Sequence, residues 1–157
     1  MKWINLLSGW GNFIKMNKFK IYLAGKMNGL TFEQMNTWRE EVTKLFDRYF
    51  NSIYTINPCH YYNFNLDPET YTEKEVKEFD LHMVRNCDLV LVNLDYPDSI
   101  GTAIECHEAH DNWHIPVVAF GGENAFVHPW LDLSITKRCK TLEEAVEYII
   151  EFYAVNK

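Results

Sequence analysis

The run Asp88-Leu89-Val90-Leu91-Val92-Asn93-Leu94 is apolar at four successive positions and again at its end. A strand with one wet face alternates apolar and polar residues. One that is apolar on both faces must be covered on both, as a central strand of a parallel α/β sheet is. The run therefore predicts a buried strand between helical layers. Asp98-Ser99-Ile100-Gly101-Thr102-Ala103-Ile104-Glu105 follows and reads as a short polar loop opening a helix, with an acidic residue in its first turns. Ligands of open α/β sheets bind outside the carboxyl ends of the strands. Glu105 is thus placed where a carboxylate meets a substrate, and the amides of the helix start would keep it ionised. It is the first candidate for a nucleophile.

The rest of the chain repeats the same alternation. Phe19 to Ala24 predicts a first strand, ending in the loop Gly25-Lys26-Met27-Asn28-Gly29. Thr31 caps a helix to about Tyr49, with Phe32, Met35, Trp38, Val42 and Phe46 spaced for one buried face. Asn51 to Ile56 predicts a second strand, stopped by Pro58, and the polar, aromatic loop to Thr70 is of the length that often carries function. Thr72 caps a helix to about Asn86, Leu89 to Leu94 is the third strand, and Gly101 to Asn112 a third helix. Ile115 to Phe120 is the fourth strand, Gly121-Gly122 a turn, Ile135 to Cys139 a short fifth strand, and Thr141 caps the last helix. These elements predict an α/β, doubly wound domain of the flavodoxin-like or Rossmann-like kind: a five-stranded parallel sheet with helices on both faces. It spans 16–157 as one domain. Residues 1–15 read as an extension of unknown role, in which Trp3, Leu7, Trp10 and Ile14 share a helical face broken by Gly9 and Gly11. That segment lacks the unbroken apolar centre of a signal peptide.

A net charge of −7 argues against a nucleic-acid polymer as partner, because phosphate contacts need clustered Lys and Arg. A single nucleotide, held by a few backbone amides, is compatible with it. Cys59, Cys87, Cys106 and Cys139 form no close pair, which fits reduced thiols in the cytoplasm. No apolar run approaches membrane-spanning length, and no membrane partner is expected.

Two carboxylates close in space can divide glycosidic chemistry between attack on the anomeric carbon and protonation of the leaving group. Asp80 lies on the helix before the third strand, and an ionised Glu105 nearby would raise its pKa toward that of an acid. Tyr22 on the first strand can hydrogen-bond a buried carboxylate. Each has a plainer alternative: a solvated helix-start Glu, a surface Asp among Glu75, Lys77 and Glu78, a core Tyr. His107, His110 and His114 share a helix face, but a solvated amphipathic face explains them better than a metal does. Tyr61-Tyr62-Asn63-Phe64 can stack on a nucleobase, cover a sheet edge or form an oligomer contact.

Lys20-Ile21-Tyr22-Leu23-Ala24-Gly25, Asp80 eight residues before Asp88-Leu89-Val90, and Gly101-Thr102-Ala103-Ile104-Glu105 come in an order that resembles the nucleoside 2-deoxyribosyltransferases and their nucleotide N-hydrolase relatives. The strand His114 to Phe120 falls where that fold needs its next one, and the resemblance runs from residue 19 to the end. It implies Glu105 as nucleophile, Asp80 as the acid–base group serving the base, and Tyr22 as the partner positioning Glu105, with neither cofactor nor metal. It further implies a nucleoside or nucleotide and a free nucleobase as partners, in a homo-oligomer. A neighbouring copy often completes such sites, and Phe126-Val127-His128-Pro129-Trp130 is a candidate for that contribution. Transferases of this kind usually carry an Asp six residues before the catalytic Glu, holding the sugar 5′-hydroxyl. Here Ser99 stands there, with Asp98 one residue earlier. Ser at that position resembles the hydrolases, where it meets a 5′-phosphate without repelling it, while Asp98 can still serve the transferase role. Gly25, Lys26, Asn28, Asp98, Ser99 and Gly101 are therefore expected to bind substrate, although Lys26 and Asn28 can equally form only a turn. Transfer of the deoxyribosyl group leads, hydrolysis of a deoxynucleoside monophosphate follows, and a nucleotide-binding module without chemistry is the third possibility.

Overall fold

The structure is a computed structural model in which residues 18–49, 52–62 and 71–154 are described. Residues 1–15, with their Trp3, Leu7, Trp10 and Ile14 face, and Asn63, Phe64 and Asn65 of the aromatic loop lie outside the described residues. Five strands, β1 (Phe19–Ala24), β2 (Ile53–Ile56), β3 (Leu89–Asn93), β4 (Val117–Phe120) and β5 (Lys137–Arg138), form one parallel sheet in the order β2-β1-β3-β4-β5. The helices are α1 (Phe32–Phe46), α2 (Glu73–Arg85), α3 (Ile100–His107), α4 (Pro129–Leu133) and α5 (Leu142–Ile149). This is the doubly wound, flavodoxin-like order expected from the alternation.

Side chains alternate across each strand, so the sheet splits the core in two. Ile21, Leu23, Leu89, Leu91, Val118 and Phe120 pack with Val42 and Phe46 of α1 and with Ala145, Val146 and Ile149 of α5. Tyr22, Ala24, Val90, Val92 and Ala119 face Met83 and Val84 of α2, Cys106 of α3 and Leu131 of α4. Every residue of β3 is buried, as its continuous apolar run requires.

Element ends differ from the sequence reading for local reasons. Helix α1 starts with a full capping box, Thr31 with Gln34, and gives way at Asp47 to a 3-10 turn. Met35, Val42 and Phe46 are buried as expected, but Phe32 is half exposed and Arg39 joins the buried stripe instead. Helix α3 ends at His107 in a wide π turn, Glu108–Asn112, which leaves Ala109 buried. The Ile115 N–H closes that turn on the Ala109 carbonyl at 2.8 Å, and Pro116 has no N–H, so β4 starts only at Val117. Strand β5 is reduced to two exposed basic residues, a common way to blunt a sheet edge. Helix α4 escaped the sequence reading; Pro129 opens it and the His128 ring accepts from the Trp130 N–H.

The turn after β4 is the tightest joint in the fold. Gly121 and Gly122 have φ of +76° and +67°. A Cβ on Gly122 would stand 2.6 Å from the Leu94 carbonyl oxygen. The Gly122 N–H donates to Asp95 Oδ1 at 3.2 Å, and the Asp95 N–H to Asn93 Oδ1 at 2.8 Å, tying the turn to the end of β3. Gly122→Ala combines a left-handed backbone with a clash against main chain and should cost on the order of 2 kcal/mol or more, read as a lowered thermal midpoint. An unchanged midpoint would mean that the turn relaxes freely.

Candidate active site

Strands β1 and β3 are neighbours, yet the chain leaves β1 toward α1 on one face and leaves β3 toward α3 on the other. A crevice opens between the diverging loops, the place where open α/β sheets bind ligands. Here it is a cleft of about 590 Å³. Gly25, Met27, Asn28 and Gly29 line one side, the start of α3 from Ser99 to Glu105 the other, and Tyr62, Tyr71 and Asp80 close it from α2 and the loop before it. A narrower recess of about 160 Å³ brings Asp80 and Glu105 together with Gly101 and Ile104.

Tyr22 is fully buried on the face of β1 that meets α2 and α3. Its hydroxyl donates to Glu105 Oε1 at 2.7 Å, so the strand holds the carboxyl on the helix. Burial, and then the charges of Glu105 and Asp80, raise the Tyr22 pKa well above its ordinary value and keep it a donor. Glu105 sits in the second turn of α3, past the free amides of the helix start, and the expectation that they would keep it ionised does not hold. Burial pushes its carboxyl up to about 8; the Tyr22 hydrogen bond and the Arg39 charge pull down, and Asp80 pushes further up.

Asp80 accepts the Tyr62 hydroxyl on Oδ1 at 2.6 Å. Its carboxyl is raised, as expected, but by burial rather than by Glu105, and the Tyr62 bond and Arg39 oppose the rise. Each carboxyl therefore has its own tyrosine. The sequence leaves Tyr62 open as a stacking surface, a sheet-edge cover or an oligomer contact. Its ring does pack on Tyr71 and Phe79 at 6.0 and 6.3 Å, but the hydroxyl does the more specific job. No local spacing could reveal a bond across eighteen residues.

The expected substrate-binding residues divide. Gly25, Asn28, Ser99 and Gly101 line the cleft. Ser99 also caps α3, its Oγ accepting from the Thr102 N–H at 3.3 Å. Lys26 and Asp98 do not line it: they pair with each other at 2.7 Å, with Asp98 largely exposed, and so tie the β1–α1 loop to the β3–α3 loop. His107 and His110 both turn to Asp111, and His114 lies beyond the helix at φ +54°. Among the described residues no three His, Cys, Asp or Glu side chains are grouped to hold a metal. No helix among them is long and apolar enough to cross a membrane.

Arg39 was not anticipated. It is completely buried, and the guanidinium donates to the Leu23 and Gly25 carbonyls at the exit of β1 and to the Met35 carbonyl one turn earlier in α1. Its place four residues after Met35 and three before Val42, on the face already assigned to the core, was the signal available in the sequence.

The five-stranded parallel sheet has the fold of solved 2-deoxyribosyltransferases. The chain is similar to the enzyme of Bacillus psychrosaccharolyticus (TM-score 0.61, 18% identity, covering 82% of this chain and 91% of that one). It is similar to the 2-deoxyribosyltransferase of Leishmania mexicana (0.61, 15%, 85% and 98%) and to a conserved protein of Enterococcus faecalis (0.69, 21%, 85% and 98%). Residues 19–118 match the family described as a domain of unknown function, DUF4406, and the chain belongs to that family. No curated protein matches it in sequence.

The raised carboxyl has a consequence for stability. Glu105 has an ordinary value of 4.5 and a folded one of about 8, so across that window the native state binds more protons than the unfolded chain. Stability contributed by the neutral form is complete at the acid end and falls as pH rises. Glu105→Gln removes this titration, and its gain in thermal midpoint over the wild type should grow from pH 5 to pH 8. A gain that does not change with pH would show that Glu105 is not perturbed.

Proposed function

We propose that this protein is a nucleoside 2-deoxyribosyltransferase: it cleaves the N-glycosidic bond of a 2′-deoxynucleoside and passes the sugar to another base. The observation that carries the reading is the bond from buried Tyr22 to Glu105, in a recess that also holds Asp80. Tyr22 occupies Oε1 of Glu105 and leaves Oε2 for C1′. Attack forms a Glu105–C1′ ester as the C1′–N bond breaks, and the Asp80 proton goes to the departing base. A second base then attacks C1′, gives its proton to Asp80 and releases Glu105.

Both carboxyls are raised by burial, and the reacting form needs the proton on Asp80 and the charge on Glu105. A base filling the cleft excludes water from Asp80 and favours its neutral form, while the Tyr22 hydroxyl steadies the Glu105 anion. The pair works with one proton, and kcat/KM should fall as pH rises through about 8, where that proton is lost.

A second reading, hydrolysis of a 2′-deoxynucleoside monophosphate, is favoured by the cleft wall at Ser99. The hydroxyl and helix-start amides there suit a phosphate, Thr102 Oγ1 is buried with no hydrogen-bond partner among the described residues, and the Asp98 carboxylate is engaged by Lys26. The partners are a small nucleoside or nucleotide and a free base, in the cytoplasm. Exposed Ile100, Phe126, Trp130 and Leu133 support assembly with further copies of the chain.

Chromatography of deoxynucleosides and their monophosphates, incubated with and without a different free base, tests the proposal. New nucleoside formed only with an acceptor base is expected. Base released from monophosphates without an acceptor would give the hydrolase instead. Glu105→Ala should lower turnover on the order of 10³-fold or more and Asp80→Asn on the order of 10²-fold or more. Ligand-induced stabilisation without any product would leave a binding module.

A further inference from the structure

The chemistry above asks two opposite things of Asp80. It holds a proton until the base departs, is a carboxylate while the sugar is on Glu105, and takes a proton back from the second base. An ionised carboxyl only accepts hydrogen bonds, whereas a neutral one also presents a donor. A partner that can only donate, such as a backbone N–H or an ammonium, suits the first state and opposes the second. Glu105 makes no such demand, because carboxylate and ester both accept from Tyr22.

Tyr62 is placed to serve both states of Asp80. Its hydroxyl lies 2.6 Å from Asp80 Oδ1 and 3.3 Å from the Val76 carbonyl oxygen. Val76 stands one turn before Asp80 in α2, so the two acceptors are neighbours on one helix. A phenol has one proton and two lone pairs, and directs its proton to one acceptor at a time. With Asp80 ionised, the proton points to Oδ1, and 2.6 Å is the length of a hydroxyl bond to a charged oxygen. With Asp80 neutral, Oδ1 can donate to the phenol oxygen while the phenol proton turns to the Val76 carbonyl.

We propose that Tyr62 is the positioning residue of the acid. Its hydroxyl turns between Asp80 Oδ1 and the Val76 carbonyl as Asp80 loses and regains its proton, and so holds the carboxyl in one place through both half-reactions. The Tyr62 proton stays on its own oxygen throughout. The proton that moves is that of Asp80, out to the departing base and back from the arriving one. The inference rests on the reading of Asp80 as the acid–base group.

The surroundings fit this role. The Tyr62 ring packs on Tyr71 and Phe79, so the O–H bond can turn while the ring keeps its place. Burial, and then the bond to Asp80, raise the Tyr62 pKa above its ordinary value and keep it a phenol. Glu73 and Lys77 of α2, Tyr71 and Glu105 line the cavities at Asp80, and Arg39 of α1 opposes the rise of its carboxyl. Asp67 and Glu69 lie outside the described residues. Tyr62→Phe alters none of these charges and keeps the ring, so it isolates the hydroxyl.

The test is NMR of the substrate-free full chain, labelled with carbon-13 at the tyrosine Cζ and at the side-chain carboxyls. Tyr62→Phe and Asp80→Asn assign the two signals, and a Glu105→Gln background removes the second titration of the pair. The Tyr62 signal should shift with the same midpoint as the Asp80 carboxyl, and the shift should vanish in Asp80→Asn. Tyr62→Phe should raise the Asp80 pKa by about half a unit or more, because the anion loses its stronger bond. A Tyr62 signal that stays fixed while Asp80 titrates would overturn the proposal, as would an Asp80 that titrates alike with and without the hydroxyl. Should Tyr62→Phe fail to fold, the wild-type and Asp80→Asn spectra decide, with Tyr62 assigned through its backbone. In turnover, Tyr62→Phe should lower kcat about tenfold on an ordinary 2′-deoxynucleoside with KM little changed. The loss should be much smaller on an N7-methylated 2′-deoxypurine nucleoside, whose cationic base leaves without a proton, and equal losses on both would count against the role. The NMR needs no turnover. Absence of base transfer in the wild type would thus reject the transferase reading without deciding whether the hydroxyl follows Asp80.

Discussion

The bond between the Tyr22 hydroxyl and Glu105 Oε1 joins the two halves of the architecture. Tyr22 belongs to a strand buried on both faces, and Glu105 to a helix reached only after the chain has passed through β2, α2 and β3. The bond forms only if β1 and β3 are adjacent, if Tyr22 rather than Ile21 or Leu23 faces α3, and if α3 starts close enough to the end of β3. A one-residue slip of β1 would turn Tyr22 into the α1–α5 core and put an aliphatic side chain against the carboxyl. Much of the fold can thus be read as the support that this contact needs.

The support has an energetic counterpart. A carboxyl held near a pKa of 8, a second raised carboxyl and a fully buried guanidinium all oppose folding. They are tolerated because the sheet around them is closely covered, with every β3 residue and the last four of β1 buried beneath helices on both sides. They also sit at the carboxyl edge of that sheet, where the loops diverge and the core ends. Opposing charges in one small volume offset part of the cost that each would carry alone. Destabilised groups gathered at the open end of a rigid sheet are what a site gains from this arrangement.

The chemical inventory was more legible than the electrostatics. Glu105 could be singled out from the loop and helix after the third strand, and Tyr22 and Asp80 from the order of motifs that carries the resemblance; the structure brings the three together. Their protonation could not be read this way. The expectation for Glu105 used the helix dipole, a local effect, and burial by distant elements reversed it. The same applies to Asp98, whose carboxylate the Lys26 ammonium engages from another loop, and to Tyr62, whose hydroxyl meets Asp80 eighteen residues further along the chain.

Periodicity and apolar runs in the chain were enough to establish the alternation of strands and helices, the parallel sheet and the central position of β3. Those properties follow from which side chains leave water, and that is written residue by residue. The helix ends at His107 and Phe46, the short α4 and the start of β4 depended on which carbonyl each amide met. Tertiary packing alone decided that Arg39 lies in the core, that Lys26 and Asp98 pair with each other, and that burial raises the carboxyls of both Glu105 and Asp80. Charge and desolvation act through space, and the neighbours that set them are far apart in the chain.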